Sequence, residues 1–252
     1  MKKFLAAILT ATMVLGLAAC GGNAQTGGSG STGTGDNTGA VTIKLGHGQT
    51  EAHPYHLGAA KFAELVEEYT NGTVKVEVYP NATLGAERDM VEGVSMGTVD
   101  ACITTNAPLT NFNSNFNVFE FPYLFTSLDD AHKVLDSEIG QSLMDELKNS
   151  GIVGLAYFEN GFRDLTNSKH EVQSVSDLSG LKIRTMESEI HIAAFKAMGA
   201  NPTPMNWGEV STALQQGTID GQENGCSVTK SAKMDEIQDY MTIWNYIHCY
   251  HR

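Results

Sequence analysis

The chain is acidic: 16 Lys and Arg stand against 29 Asp and Glu, a formal net charge of −13 over 252 residues. Such a surface repels nucleic acid and anionic membrane. It also repels a small anion at long range, so a site for one needs local, directed positive charge. Each arginine is therefore informative, because a guanidinium is planar, permanently charged and able to grip both oxygens of a carboxylate. Histidines offer a second chemistry. His53 and His56 lie three apart at a predicted helix start, and His47 precedes them. No cysteine or carboxylate completes a zinc pattern around this set, so it reads as hydrogen bonding at the edge of a lobe, and no metal is expected. Cys102, Cys226 and Cys249 are widely spaced and odd in number, which is neither a disulfide framework nor a metal knuckle. Enzyme templates are missing: there is no Gly-x-Ser-x-Gly elbow, no phosphate loop and no His-Glu-x-x-His. Carboxylates abound, but their number follows from composition. The residues thus give no support to an enzyme, and no cofactor is expected.

Those side chains need elements to position them. Val41 to Leu45 alternates and predicts a strand; Phe62, Leu65, Val66 and Tyr69 share one face of a helix starting near Pro54. Val74, Val76 and Val78 mark a second strand, Glu87 to Met96 a helix, and Val99 to Thr104 an apolar strand expected in the centre of a sheet. This strand–helix rhythm predicts an α/β domain with a mainly parallel sheet. Phe119 to Phe125 reads as an aromatic loop, followed by helices at Leu128–Leu135 and Ile139–Asn149 and a strand at Ile152–Phe158. A second unit follows: strands at Phe162–Thr166 and Leu181–Arg184, a helix at Glu189–Met198, and a chain break at Pro202 and Pro204. A helix carrying Trp207, Val210 and Leu214 comes next, then a strand at Ile219–Asn224 and an apolar stretch from Met234 to Ile247. Two successive α/β units predict two lobes, 40–160 and 161–252, with a ligand cleft between them.

The start of the chain reads as an export leader over residues 1–19: Lys2 and Lys3, then an apolar run from Phe4 to Leu17 that is too short to span a bilayer. Leu17-Ala18-Ala19-Cys20 resembles the bacterial lipobox, which implies cleavage before Cys20 and lipidation of its thiol. Losing residues 1–19 removes two lysines and no acid, so the mature chain is more acidic still. Residues 20–39 are rich in Gly, Ser, Thr and Asn and read as a flexible tether.

Several segments, in order and at matching spacing, resemble the solute-binding subunits of tripartite ATP-independent periplasmic (TRAP) transporters, the DctP-type family. They are Gly161-Phe162-Arg163-Asp164-Leu165-Thr166-Asn167, Asp177-Leu178-Ser179-Gly180-Leu181-Lys182-Ile183-Arg184, Met198 to Met205, and Ala213 to Asn224. Upstream, Tyr79-Pro80 through Leu84-Gly85-Ala86-Glu87-Arg88 and Phe121-Pro122-Tyr123-Leu124-Phe125 also fit. The resemblance implies a two-lobed, flytrap-like α/β receptor, similar to other periplasmic binding proteins, that captures a small organic carboxylate (a C4-dicarboxylate or a sugar acid such as a uronate). It further implies delivery to membrane permease subunits from an extracytoplasmic, lipid-anchored position, with no nucleic-acid partner. By position in the motifs, Arg184 is implied as the carboxylate anchor and Arg163 as a second cation. Asn224 is implied as an amide contact, Trp207 as an aromatic wall, Glu87 as a group near the ligand's distal end, and Thr105 as a polar contact. A sensory ligand-binding lipoprotein and a truncated, inactive copy are the alternative readings. Members of the family continue past the strand near Asp239–Ile247, and Trp244 to Arg252 does not resemble their continuation. Exposed apolar faces are accordingly expected.

Overall fold

The structure is a computed structural model, and it describes residues 40–251. The predicted leader, the tether and Cys20 lie outside the described residues. Two βαβ steps open the fold. Strand β1 (Val41–His47) leads into helix α1 (Pro54–Tyr69), β2 (Val74–Tyr79), α2 (Glu87–Met96) and β3 (Ala101–Ile103). Proline at the first helical position and the side chain of His53, which accepts from Tyr55 N at 3.2 Å, start α1 where the sequence predicts it. All three strands are parallel in the order β2-β1-β3. The apolar third strand is therefore at the edge and β1 is central, which corrects the sequence expectation. An apolar strand reports cover on its two faces, not neighbours on its two edges.

Next come α3 (Asn106–Leu109), a 3₁₀ turn (Ser114–Glu120), α4 (Leu128–Leu135) and α5 (Glu138–Glu146). Val91, Leu109, Phe116, Phe119, Leu135, Leu147 and Ile152 form one core among them. The strand expected at Ile152–Phe158 is not there. Residues 152–157 carry no ladder, and Val153 and Leu155 are exposed. Extended apolar chain becomes a strand only where a neighbour takes its backbone groups, and pairing begins with β4 (Phe158–Asn167).

The second sheet is mixed. It contains β5 (Lys182–Thr185), β6 (Asn201–Pro204), β7 (Gly221–Gly225) and β8 (Tyr240–Thr242), in the order β6-β5-β7-β4-β8. Pairs β5–β6 and β5–β7 are parallel, and β4 runs antiparallel to β7 and β8. Between them lie α6 (Glu189–Ala197), α7 (Trp207–Gln215) and α8 (Cys226–Ser231). Pro202 and Pro204, expected to break the chain, instead sit in β6, opposite Ile183 and Thr185. An edge strand tolerates residues that cannot donate to a ladder. The end of the chain also departs from expectation. Strand β8 stops at Thr242, the backbone turns where Asp164 Oδ1 accepts from Trp244 N (2.9 Å) and Asn245 N (3.0 Å), and β9 (His248–His251) then pairs with the start of β4.

Strand β4 joins the two halves. Phe158, at its start, packs with Leu45, Tyr55, Ala59 and Ile103 of the first sheet. Leu165, seven residues on, is buried among Leu178, Ile183, Phe195 and Tyr246 of the second. The molecule is thus a two-lobed α/β structure, and the lobe division expected at 160/161 falls inside β4. Among the described residues no helix is long and apolar enough to cross a membrane.

Candidate functional site

Arg184 sits on β5, flanked on both sides by parallel strands, and is buried to 4% exposure. Its Nε and Nη2 both donate to the Met205 carbonyl, at 3.0 and 2.8 Å. The guanidinium carbon lies 5.7 Å from the centre of the Trp207 ring. These contacts fix the plane of the fork without neutralising it. Among the described residues no carboxylate comes within ion-pair distance of Arg184, and no hydrogen bond uses its Nη1. Burial, and then the charge of Arg163, bring its pKa down to about 10, so it stays cationic at neutral pH.

Arg163, on β4, is fully buried and committed to the protein. It pairs with the Glu223 carboxylate through Nε and through Nη2 (2.9 Å), and Nη2 also donates to the Glu223 carbonyl at 2.6 Å. Its Nη1 donates to Asn224 Oδ1 at 3.2 Å. Asn224 Oδ1 accepts further from Asn160 Nδ2 (3.3 Å) and from Gly225 N (3.0 Å). With the oxygen saturated, the Asn224 amide has its Nδ2 donors left for a ligand. Gly225 allows this approach, because a Cβ there would lie 2.3 Å from the Asn160 carbonyl oxygen.

Behind Arg163 stands a buried charge network that the sequence analysis did not single out. Glu223 also accepts from the Tyr246 hydroxyl at 2.9 Å. His191, on α6, lies 2.7 Å from Glu120 and 3.8 Å from Glu223, and Asn106 Nδ2 donates to Glu120 at 2.6 Å. Burial would raise the Glu223 pKa, but Arg163 and then His191 outweigh it and hold it near 2. Burial would lower that of His191, but Glu120 and then Glu223 outweigh it and raise it. Glu120 comes from the first half of the chain, and His191, Glu223 and Arg163 from the second. Glu223 stands in the run Gln222-Glu223-Asn224, but its pairing with Arg163 follows from a burial of both that no local pattern shows. His191 and Glu120 carry no local signature.

Glu87 begins α2, where the helix dipole favours a carboxylate. Its Oε2 accepts from the Thr105 hydroxyl and from Thr105 N (3.3 Å). Arg184, Arg163, Asn224, Trp207, Glu87 and Thr105 all line one cavity of about 260 Å³, to which Gln49, Arg88, Glu187, Asn206 and Glu209 also contribute. The fold therefore gathers all six residues that the sequence put forward. It does not bring the histidines in. His47 Nε2 meets His56 Nδ1 at 3.2 Å, His53 caps α1, and among the described residues no group of His, Cys, Asp and Glu could hold a metal ion. Burial, with Glu87 nearby, pushes the Cys102 thiol up to about 12, so it is inert at neutral pH. The cavity offers a fixed cation, amide donors, an indole face and a carboxylate: recognition groups for a small polar anion.

The family model described as bacterial extracellular solute-binding protein, family 7 (DctP) matches residues 45–252. The 2,3-diketo-L-gulonate-binding periplasmic protein YiaO of Escherichia coli is 40% identical over 81% of this chain and 62% of its own length. The C4-dicarboxylate-binding periplasmic protein DctP of Rhodobacter capsulatus is 38% identical over 82% of this chain and 62% of its own. A TRAP periplasmic solute-binding protein from Polaromonas, solved with D-erythronate, superposes with a TM-score of 0.82 at 39% identity, covering 84% of this chain and 70% of that one. The chain thus spans a little under two thirds of the length of the two named curated relatives. Motifs, two-lobed fold and extent of similarity agree, and the chain belongs to family 7 of the bacterial extracellular solute-binding proteins, the DctP family.

Proposed function

We propose that this chain is the ligand-capturing subunit of a TRAP-type transporter, that it binds a small organic carboxylate in the cleft lined by Arg184, and that it hands the ligand to membrane permease subunits. One observation carries this reading: a buried arginine, oriented by the Met205 carbonyl and the Trp207 ring, has no carboxylate partner among the described residues and lines a cavity. A guanidinium taken out of water without a counter-ion is costly unless a ligand supplies one. Arg163, its charge taken by Glu223, holds Asn224 in place from behind, and Asn224, Thr105 and Glu87 supply hydrogen-bonding groups around the bound molecule. The protein is a receptor and not an enzyme: its ionisable groups in the cleft orient and balance charge. An extracytoplasmic location follows from the family. Attachment to the membrane through a lipid on Cys20, after removal of residues 1–19, completes the proposal and rests on the Leu-Ala-Ala-Cys sequence.

The test is a thermal-shift screen of organic acids followed by calorimetry. A ligand that binds the native state raises its stability, by about 2.7 kcal/mol at one hundred times its Kd. Arg184→Ala is expected to abolish measurable binding, and Arg184→Lys to weaken it because the two-point fork is lost. Unchanged affinity in Arg184→Ala overturns the carboxylate-anchor assignment. Growth of cells in medium containing a lipoprotein signal peptidase inhibitor should leave the leader uncleaved, and a mature N-terminus elsewhere than Cys20 overturns the anchor.

A further inference from the structure

Residues 152–157 run extended into β4, and at their start they alternate as a strand does. Ile152 is buried, and Gly154 faces inward, where a Cβ would lie 2.9 Å from Met144 Sδ. Val153 and Leu155 point outward and are 62% and 72% exposed. The outward face of a strand at a protein surface is ordinarily polar, and this one is apolar. The backbone is equally open. Among the described residues no hydrogen bond engages the backbone of residues 153–156, and the β4–β9 ladder stops at Phe158, opposite His251, without reaching them. Other edges are guarded. Strand β2 carries exposed Lys75 and Glu77, β6 carries Pro202 and Pro204, and β8 is only three residues long. The edge of β3 opens on the same apolar groove as residues 152–156.

Charge narrows the choice of partner. The chain carries a net −13, so two copies repel each other over most of their surface. Of the residues lining this groove only Asp100 is of a charged type, and its Oδ2 accepts from Lys44 N at 2.9 Å. Here a second copy can approach without bringing acid against acid. The segment is also complementary to itself. A two-fold axis normal to a sheet keeps every side chain on its own face, so an antiparallel pair of identical strands places one residue opposite its own mate. An axis at Gly154 sets Val153 opposite Leu155 of the second copy and Ile152 opposite Ala156, and it keeps clear of Phe158, which β9 already holds. Facing aliphatic pairs of this kind stabilise a sheet. We infer that this chain forms a two-fold dimer in which residues 152–156 of the two copies pair as antiparallel strands about Gly154, with Val153 and Leu155 covering each other across the interface. The cleft lined by Arg184 shares none of these residues.

Sedimentation equilibrium of the full chain over a range of concentrations tests this. Wild type should fit a monomer–dimer equilibrium. Leu155→Lys puts a charge on the paired edge and should raise the dimer dissociation constant at least about tenfold; it should unfold at the wild-type temperature, because the position is exposed. Val153→Lys should act alike. The register has its own test. Mixing Val153→Cys chains with Leu155→Cys chains under mild oxidation should give the mixed cross-linked dimer in preference to either like pair. Positions 153 and 155 face each other about Gly154, whereas like positions lie beyond disulfide reach. Wild type treated in the same way measures the background from exposed Cys226. A chain that stays monomeric at every concentration overturns the inference, and so does a dimer that survives both lysine variants unchanged. Aggregates that grow without a dimer plateau overturn it as well. Cross-linking at equal rates in all pairings overturns the register about Gly154.

Discussion

At the scale of single residues, the two arginines divide the work. Arg184 keeps its charge available, whereas Arg163 gives its charge to Glu223 and shapes the cleft floor through Asn224. Their substitutions should therefore differ in kind. Arg184→Ala removes ligand affinity, by about 2–5 kcal/mol, with little change in stability, since its protein partners are a neutral carbonyl and a ring. Glu223→Gln strands the fully buried Arg163 cation and should cost about 3–5 kcal/mol of folding stability, read as a lower urea midpoint. Equal midpoints for Glu223→Gln and wild type would contradict the buried pair.

Elements meet at the Glu120–His191–Glu223 network, which links the 3₁₀ turn of the first half to α6 and β7 of the second. Its pH behaviour has two signs. Glu223 is held near 2 in the folded protein against an ordinary value of 4.5, so its contribution is present above about pH 4.5 and is lost as pH falls toward 2. His191 is raised above its ordinary 6.5. Its contribution is complete below pH 6.5 and is lost as pH rises through the raised value. Unfolding measured from pH 6 to 9 should show stability declining with pH in wild type, and His191→Gln should flatten that decline. A decline of equal slope in His191→Gln would remove His191 as its source. Strand β4 also belongs to this scale. The sequence predicts a strand from Phe162 to Thr166 and places Phe158, the first residue of β4, at the end of a separate one. What makes one continuous strand is pairing with β9 and β7, contributed by residues about sixty to ninety positions away.

Over the whole molecule, the first lobe leaves an apolar groove of about 460 Å³ beside the edge strand β3, lined by Leu45, Phe62, Val91, Ile103 and Leu155 among others. Val153 and Leu155 are exposed on its rim. A contiguous apolar surface of this kind favours self-association. Leu155→Ser should lower concentration-dependent light scattering and leave ligand affinity unchanged, because the groove and the cleft share no Leu155 contact. Scattering identical to wild type would show that the groove is not the sticky surface.

The sequence by itself determined the parts that repeat locally or sit in ordered motifs. Helix faces, most strands, the family and the six residues that line the cavity were readable, because periodicity and capping act over a few residues and the motifs keep their spacing. Tertiary structure decided what depends on neighbours distant in the chain. It put β3 at an edge, denied residues 152–157 a ladder and admitted two prolines to β6. It also assembled Glu120, His191, Glu223 and Tyr246 around Arg163. The physical reason is that an isolated histidine or glutamate reveals nothing of its solvation. Only packing showed that Arg163 is spent on a protein carboxylate and that Arg184 is not, and the charge left for a ligand follows from that difference.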